Sequence, residues 1–443
     1  MIGWLLAQAR RVSATEAFIA ALFFLSAAIQ RNQGQLSRSA LAAVGLALVS
    51  CVWGLVSEDQ RLRWPLLYLV LAWEIAILLI AQPTAGLATG TTPFRLGILF
   101  CGGAAFAACA LKSRRAAQFA FLAAVAGVFV TGVWTLRAGP VPQIDVYDLH
   151  QEASAALFSG SNPYAIRIRD IYPPNLSRWV YGPGVVVDGR LTFGFPYPPI
   201  SLMLSSLGYL VAGDCRYAHL AAMCLAALLL AYARPSRLSA VAPLLFLLTP
   251  RAFFVLEQNW SEAVVVFLFA AMVFCRCRFP RAAPWVTGIL LTGKQYMIFT
   301  APAVITRWRE VPKAALAAFL VTAPLALWNV REFFHSVVEF HFAQPFRPDA
   351  LSFMAQLNQY GIRMPGWMPF LLTGAAIVFV RRRLTTESAI SGGVALILIV
   401  FFAFNKAAAT NYYYLVIGIL AAAVATADTR VGPRGSAILH SQR

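Results

Sequence analysis

The 443-residue chain carries 36 Lys and Arg against 18 Asp and Glu, a formal charge of +18, with 60% hydrophobic and only 12% charged residues. A water-soluble domain is about one quarter charged, so both a soluble enzyme and a disordered chain are excluded. Long apolar runs without period-two alternation also exclude a β-barrel, which leaves an all-α polytopic membrane protein.

In chain order, apolar runs predict spans over 16–30, 39–56, 64–82, 94–111 and 116–136, then a polar break over 137–196. Six further spans are predicted from 197 to 330, a second break over 331–363, and last spans over 366–380, 386–404 and 411–427, about fourteen in all. Arg10 and Arg11 precede the first run without a small-residue cleavage pattern, which predicts a retained first helix. Lys112, Arg114 and Arg115, Arg381, Arg382 and Arg383, and the tail residues Arg430, Arg434 and Arg443 go to the cytoplasm by the positive-inside rule. Both polar breaks then face outward. The same counting puts Arg234, Arg237, Arg276, Arg278 and Arg281 on the outer side, so a broken or re-entrant span is predicted between 214 and 306. One interruption is visible at Thr292-Gly293-Lys294-Gln295, and unwound backbone at membrane depth needs surrounding protein or a wet cavity. The basic surplus is read as facing anionic lipid, not nucleic acid.

The seven cysteines (51, 101, 109, 215, 224, 275 and 277) lie in or beside apolar segments and read as small core residues; Cys275-Arg-Cys277 has no second ligand pair, and the five histidines form no HExxH, so no metal site of protein ligands is expected. The first break opens Gln143-Ile-Asp145-Val-Tyr-Asp148, followed by apolar positions at helical spacing up to Gly160. This predicts an amphipathic surface helix. Asp145 at its start is either a helix N-cap with Asp148 at the third position, or a general base at the membrane face, with Asp148 the second choice.

Gly160-Ser-Asn-Pro-Tyr164 reads as a turn, and Phe195-Pro-Tyr197-Pro-Pro199 as a rigid, aromatic entry to the next span. The second break offers His335, Glu339, His341, Arg347 and Asp349, more ionisable groups than a connection needs, with the amide of Gln344 among them. Phe404-Asn405-Lys406 followed by Asn411-Tyr412-Tyr413-Tyr414 places a cation, amides and phenols at the outer surface, and Lys294, Arg347 and Lys406 together would suit a lipid phosphate. Glu74, inside the third span, is either functional or a helix-to-helix hydrogen bond.

These pieces in this order, Asp145 with the helix ending Ala-Leu-Phe-Ser-Gly160-Ser-Asn-Pro-Tyr164, Tyr197-Pro-Pro199, Gly293-Lys294-Gln295-Tyr296, Gln344-Pro-Phe-Arg347-Pro-Asp349, and Asn405-Lys406 with Asn411-Tyr-Tyr-Tyr414, resemble the integral-membrane glycosyltransferases of the GT-C superfamily, most closely the family 87 type. The resemblance covers 116–427. It implies a GT-C module over 113–427 with outer loops 137–196 and 331–363 carrying short amphipathic helices, extra spans over 1–112, and a cytoplasmic basic tail over 428–443. It further implies an inverting transfer of a sugar, mannose or another hexose or pentose, from a polyprenyl-phosphate donor to a glycolipid or polysaccharide hydroxyl on the outer face of a bacterial inner membrane. Asp145 would be the base; Lys294, Arg347, Lys406, Tyr197 and Tyr412 would bind the lipid phosphate; His341, Gln344, Asn405 and Asn411 would meet sugar or acceptor. A monomer surrounded by membrane lipid is expected, with room for a magnesium or manganese ion held through the donor phosphate and Asp148 or Asp145. The alternative is a transporter or flippase of a polyprenyl-linked lipid, which would concentrate ionisable groups at mid-membrane and show internal repeats.

Overall fold

The computed structural model describes residues 12–86 and 90–429. Arg10, Arg11, Arg430, Arg434 and Arg443, and with them most of the expected basic tail, lie outside the described residues. α1 (Ala14–Gln30), α2 (Arg38–Val56), α3 (Trp64–Ile80), α4 (Thr92–Ala110) and α5 (Arg114–Ala138) follow the first five expected spans. Their starts are written locally: Ser13, Ser37 and Ser113 each accept a first-turn N–H, and Pro65 and Pro93 occupy the first turns of α3 and α4, where no N–H partner is lost.

The first polar break folds as α6 (Asp145–Phe158), α7 (Pro174–Tyr181) and a small antiparallel pair, β1 (Val186–Val187) and β2 (Arg190–Leu191), with Val186 opposite Leu191. Then come α8 (Pro199–Ala212), α9 (Arg216–Ala233), α10 (Arg237–Leu247), α11 (Ala252–Glu257), α12 (Glu262–Arg278) and α13 (Ala283–Leu291). A 3-10 turn over Gln295–Thr300 runs into α14 (Ala301–Val304), followed by α15 (Val311–Ala326). The second break holds α16 (Val330–Phe334), a π-turn over His335–Glu339, α17 (Phe340–Ala343) and α18 (Phe353–Gln359). The chain closes with α19 (Met368–Arg381), α20 (Glu387–Ala403) and α21 (Thr410–Ala425).

The protein is a mostly helical multi-pass membrane protein. Among the described residues, 5 helices are long and apolar enough to cross a membrane alone, and 6 if the Trp308–Ala326 and Val330–Ala343 pair, bent by 115°, is one span. That is fewer continuous spans than the fourteen expected, because some apolar runs are broken and others, such as α3, α20 and α21 with 17, 17 and 16 residues, fold as shorter apolar helices. One break falls at Thr249-Pro250 between α10 and α11, and another at Thr292–Lys294 after α13, where the interruption was expected.

Side-chain contacts sort the helix ends into two groups. At one, the basic end, the Arg237 guanidinium lies over the Trp64 ring at 4.5 Å and donates to the Cys109 carbonyl. Arg276 donates to Glu387 at 2.8 Å and to the Val304 carbonyl at 3.2 Å, and Arg381 to the Pro302 and Ile305 carbonyls. Arg234 reaches the Thr426 carbonyl. At the other, the loop end, Glu257 accepts the N–H groups of Ala85 and Gly86 at 2.7 and 2.9 Å.

This sorting corrects the counting around 197–330. α8 is apolar, but it does not run from one end to the other. Tyr197, just before it, stacks on His150 of α6, and Gly213 and Cys215, just after it, are held by Gln151 of the same helix at 2.9 Å each. Both ends of α8 therefore stay at the loop end, with Met203, Leu207, Leu210 and Val211 exposed along one side as on a helix lying in the membrane interface. With that crossing removed, Arg234, Arg237, Arg276 and Arg278 join the other arginines at the basic end. α13 and α14 form a re-entrant hairpin: it leaves the basic end, turns at Lys294, touches the Pro196 and Val337 carbonyls through Gln295, and returns.

α21 is buried nearly all round between α1, α10, α12 and α20, consistent with its uniformly apolar sequence. The N-terminal helices are thus part of the core of the fold. The turn after α1 docks on the loop end, where Gln33 O accepts from Thr410 Oγ1 at 3.0 Å and the Leu36 N–H reaches Asp349 O at 2.9 Å. Gly34, at φ 77°, sits against Thr410 with no room for a Cβ. Glu74 makes the helix-to-helix bond: Ser26 of α1 donates to it at 3.1 Å.

Candidate active site

Asp145 occupies the first residue of α6, with Ile144 as the N-cap and no side-chain cap bond, so the capping reading is not what the fold uses. Its carboxylate instead accepts the Tyr181 hydroxyl at 3.0 Å, the Tyr172 hydroxyl at 3.2 Å and the Val146 N–H at 2.8 Å. Both phenols come from the 170–181 stretch of the first loop. Tyr181 is buried against Leu149, Ile168, Leu191, Phe193 and Phe340, so the small β-hairpin and α17 together fix its hydroxyl. Burial raises the Asp145 carboxyl above the ordinary carboxylate range, while Tyr181, the Val146 N–H, Tyr172 and the positive field of Arg347 pull it back. Asp148, one turn on, is raised by burial and by the Asp145 charge. Neither tyrosine was singled out from sequence, since nothing local distinguishes them from interfacial aromatics.

Tyr197 connects this carboxylate to a second, deeper one. The Gly160–Tyr164 turn is an Asx turn, Asn162 Oδ1 accepting the Tyr164 N–H, and the buried Tyr164 hydroxyl donates to the Tyr197 carbonyl at 3.0 Å. Gly194 presses on the Tyr164 backbone too closely for any side chain. So anchored, the Tyr197 ring carries the Lys294 ammonium over its face at 3.7 Å. Lys294 is 5% exposed and paired with Glu262 at 3.2 Å, and Glu262 also accepts the Tyr296 hydroxyl at 3.1 Å. The second Glu262 oxygen is buried and unpartnered. Tyr197 thus touches both the helix that Asp145 opens, through His150, and the Lys294–Glu262 pair. Glu262 was missed from sequence, because an acid in the first turn of a helix reads as a helix-dipole partner.

The second loop brings in the rest. Arg347 is gripped by Asp349 through two bonds of 3.0 Å and lies over the Trp179 ring at 4.0 Å. Tyr412 packs on Tyr296 and Phe402. His341 Nε2 donates to the Pro196 carbonyl at 2.7 Å, and burial lowers its pKa to about 4, so at neutral pH it is an uncharged ring beside Tyr197.

Lys406 is placed differently from its expected role. Its ammonium donates to the Phe342 and Gln344 carbonyls at 2.9 and 2.6 Å, tying down the end of α17, while its own carbonyl accepts the Arg347 N–H at 3.0 Å. It braces the second loop. Asn405 folds back on the Lys406 N–H at 2.7 Å, and Asn411 is buried in the first turn of α21. His335 and Glu339 form an exposed i,i+4 pair at 2.9 Å, a solvated helix face. Asp145, Tyr197, Lys294, Arg347, Tyr412 and His341 are thus brought to one end of the bundle, whereas Gln344, Lys406 and Asn405 form its brace.

Among the described residues no three of His, Cys, Asp and Glu gather as a metal site. No family model matches the sequence, and no curated protein matches it. Among solved structures the chain is similar to ArnT from Cupriavidus metallidurans bound to undecaprenyl phosphate, at 17% sequence identity and a TM-score of 0.43, over 72% of this chain and 61% of that one. The match thus spans less than two thirds of that structure's length. A likeness that distant leaves the chemistry to be read from the site itself.

Proposed function

We propose that the chain is a membrane glycosyltransferase that moves a sugar from a polyprenyl-phosphate donor to an acceptor hydroxyl, with inversion, at the loop end. The observation that carries the reading is the Asp145 carboxylate held by Tyr172 and Tyr181 within the field of Arg347, with the buried Lys294 ammonium on the ring of Tyr197, which itself stacks on His150 of α6. A base raised above the ordinary carboxylate range takes a proton from a hydroxyl more readily than a free aspartate does. Asp145 would accept the acceptor's hydroxyl proton as its oxygen bonds to the anomeric carbon. The bond from that carbon to the phosphate oxygen breaks, and the lipid phosphate leaves with its charge offset by Lys294 and Arg347.

The positive-inside rule turns the loop end outward, so a lipid-linked donor and not a nucleotide sugar suits the site. Two of the Asp145 donors are phenols already in place, whereas Asp148 makes no hydrogen bond or ion pair among the described residues. A magnesium or manganese ion entering with a donor phosphate would find that carboxylate available, and adding EDTA to the assay below tests its part.

The test is release of free polyprenyl phosphate from a panel of polyprenyl-phosphate sugars by the protein in lipid, with a membrane extract as acceptor. Release by wild type that is lost in Asp145→Asn and kept in Asp148→Asn supports the reading. If wild type consumes no donor while labelled lipid crosses the bilayer, the carrier reading replaces it.

A further inference from the structure

The molecule has a second cation cluster, at the basic end, that the reaction does not use. The turn between α12 and α13 and the turn before α15 border an open cavity of about 580 Å³ lined by Pro280, Arg281, Pro284, Arg307, Trp308, Arg309, Glu310 and Lys313. Four cations and one acid face it, and the acid is already engaged: Glu310 accepts the Thr306 and Arg307 N–H groups at 3.1 and 3.3 Å, shaping the turn. Among the described residues none of the four cations makes an ion pair. The first turns of α13 and α15 open at the same place, adding the partial positive charge of two helix N-termini.

We infer that this cavity holds the phosphate headgroup of an anionic membrane lipid. Two features favour a lipid over a free anion. The cavity lies where spans end, at headgroup level, and Trp308 stands there 84% exposed, as an interfacial anchor does. An apolar track also leaves it: Lys313, Leu316 and Leu320 lie on one face of α15, with Phe319 beside them, and these three apolar residues are 46–59% exposed. A headgroup on the cations would lay its acyl chain along that track. The other basic pocket, around Lys112, Arg114 and Arg237, is smaller, about 230 Å³, and its Arg237 is committed to the Cys109 carbonyl, so it lacks the same free charge.

The site sits at the base of the α13–α14 hairpin, whose tip carries Lys294, and α13 is locked to α15 where Gly288 meets the Ala314 carbonyl. A bound headgroup therefore braces the hairpin.

The inference stands apart from the proposed reaction and is tested without it. The full chain, purified in detergent micelles doped with phosphatidylglycerol or with phosphatidylcholine, is measured for lipid retained by native mass spectrometry. Arg307→Gln/Arg309→Gln/Lys313→Gln is compared with an equal charge loss at Lys112→Gln/Arg114→Gln/Arg115→Gln. At roughly fivefold per cation near a membrane surface, the first triple is expected to bind phosphatidylglycerol about a hundredfold more weakly, with phosphatidylcholine unaffected and the second triple close to wild type. Should the first triple not fold, Arg309→Gln and Lys313→Gln singly are expected to cost about fivefold each. Retention equal to wild type, an equal fall in the second triple, or complete displacement by millimolar inorganic phosphate overturns the inference.

Discussion

Two cation clusters lie at opposite ends of the bundle, one in the candidate site and one in the basic-end cavity, and they hold their charges in opposite ways. In the candidate site each of three cations is fixed on a partner: Lys294 between Glu262 and the Tyr197 ring, Arg347 between Asp349 and the Trp179 ring, Lys406 on two carbonyls. In the basic-end cavity Arg281, Arg307, Arg309 and Lys313 make no ion pair among the described residues. A charge fixed before the substrate arrives loses little by reorganising and suits a developing negative charge, whereas a loosely held cluster suits a mobile headgroup. The difference separates chemistry from anchoring without any appeal to net charge.

Four substitutions test the loop-end half of that contrast. The largest effect is expected from Asp145→Asn, which keeps the shape and removes the base: turnover falls by at least about a hundredfold, the lower bound for a general base, in the polyprenyl-phosphate release assay, with elution unchanged. Turnover near wild type would remove Asp145 from the mechanism. Next is Glu262→Ala, which leaves Lys294 buried without a counter-ion. Removing one partner of a buried pair costs about 3–5 kcal/mol, read as a lowered thermal midpoint in detergent and restored in part by adding Lys294→Met. An unchanged midpoint would mean that the pair is solvated and Lys294 is no more fixed than the cations of the basic-end cavity.

Lys406→Met frees the end of α17 and is expected to raise the donor KM about tenfold, the equivalent of one charge-assisted hydrogen bond, with a smaller change in kcat. A kcat loss at constant KM would instead place the ammonium on the leaving phosphate. The smallest effect is a displacement along the pH axis. Asp145 works ionised, so activity is lost as pH falls through its raised pKa. Tyr181 donates to the ionised form, and Tyr181→Phe takes that support away, so the acid limb of kcat/KM moves to higher pH while the rate above it stays near wild type. A limb that stays put or moves down would show that the phenol does not act on the carboxylate.

Much of this layout was legible along the chain, because span length, serine caps and first-turn prolines act over a few residues. Asp145 stood out as an acid opening an amphipathic helix, and the break at Thr292–Lys294 as polar residues inside an apolar run. α8 did not announce itself, since apolar length alone does not tell a crossing from a helix in the interface. The arginines that a crossing there would have put outside were the available signal, since length does not single it out: α8 and α19 both have 14 residues.

What the sequence by itself determined is therefore the class, the first five helical segments and which residue types reach the loop end. Only the tertiary structure decided that Glu262 is the partner of Lys294, that Tyr172 and Tyr181 hold Asp145, and that Lys406 is a brace and not a free cation. Each of those pairings joins residues from separate elements. A buried charge takes whichever partner the packing of the helices brings within about 3 Å, and the local sequence around either group carries no record of that choice.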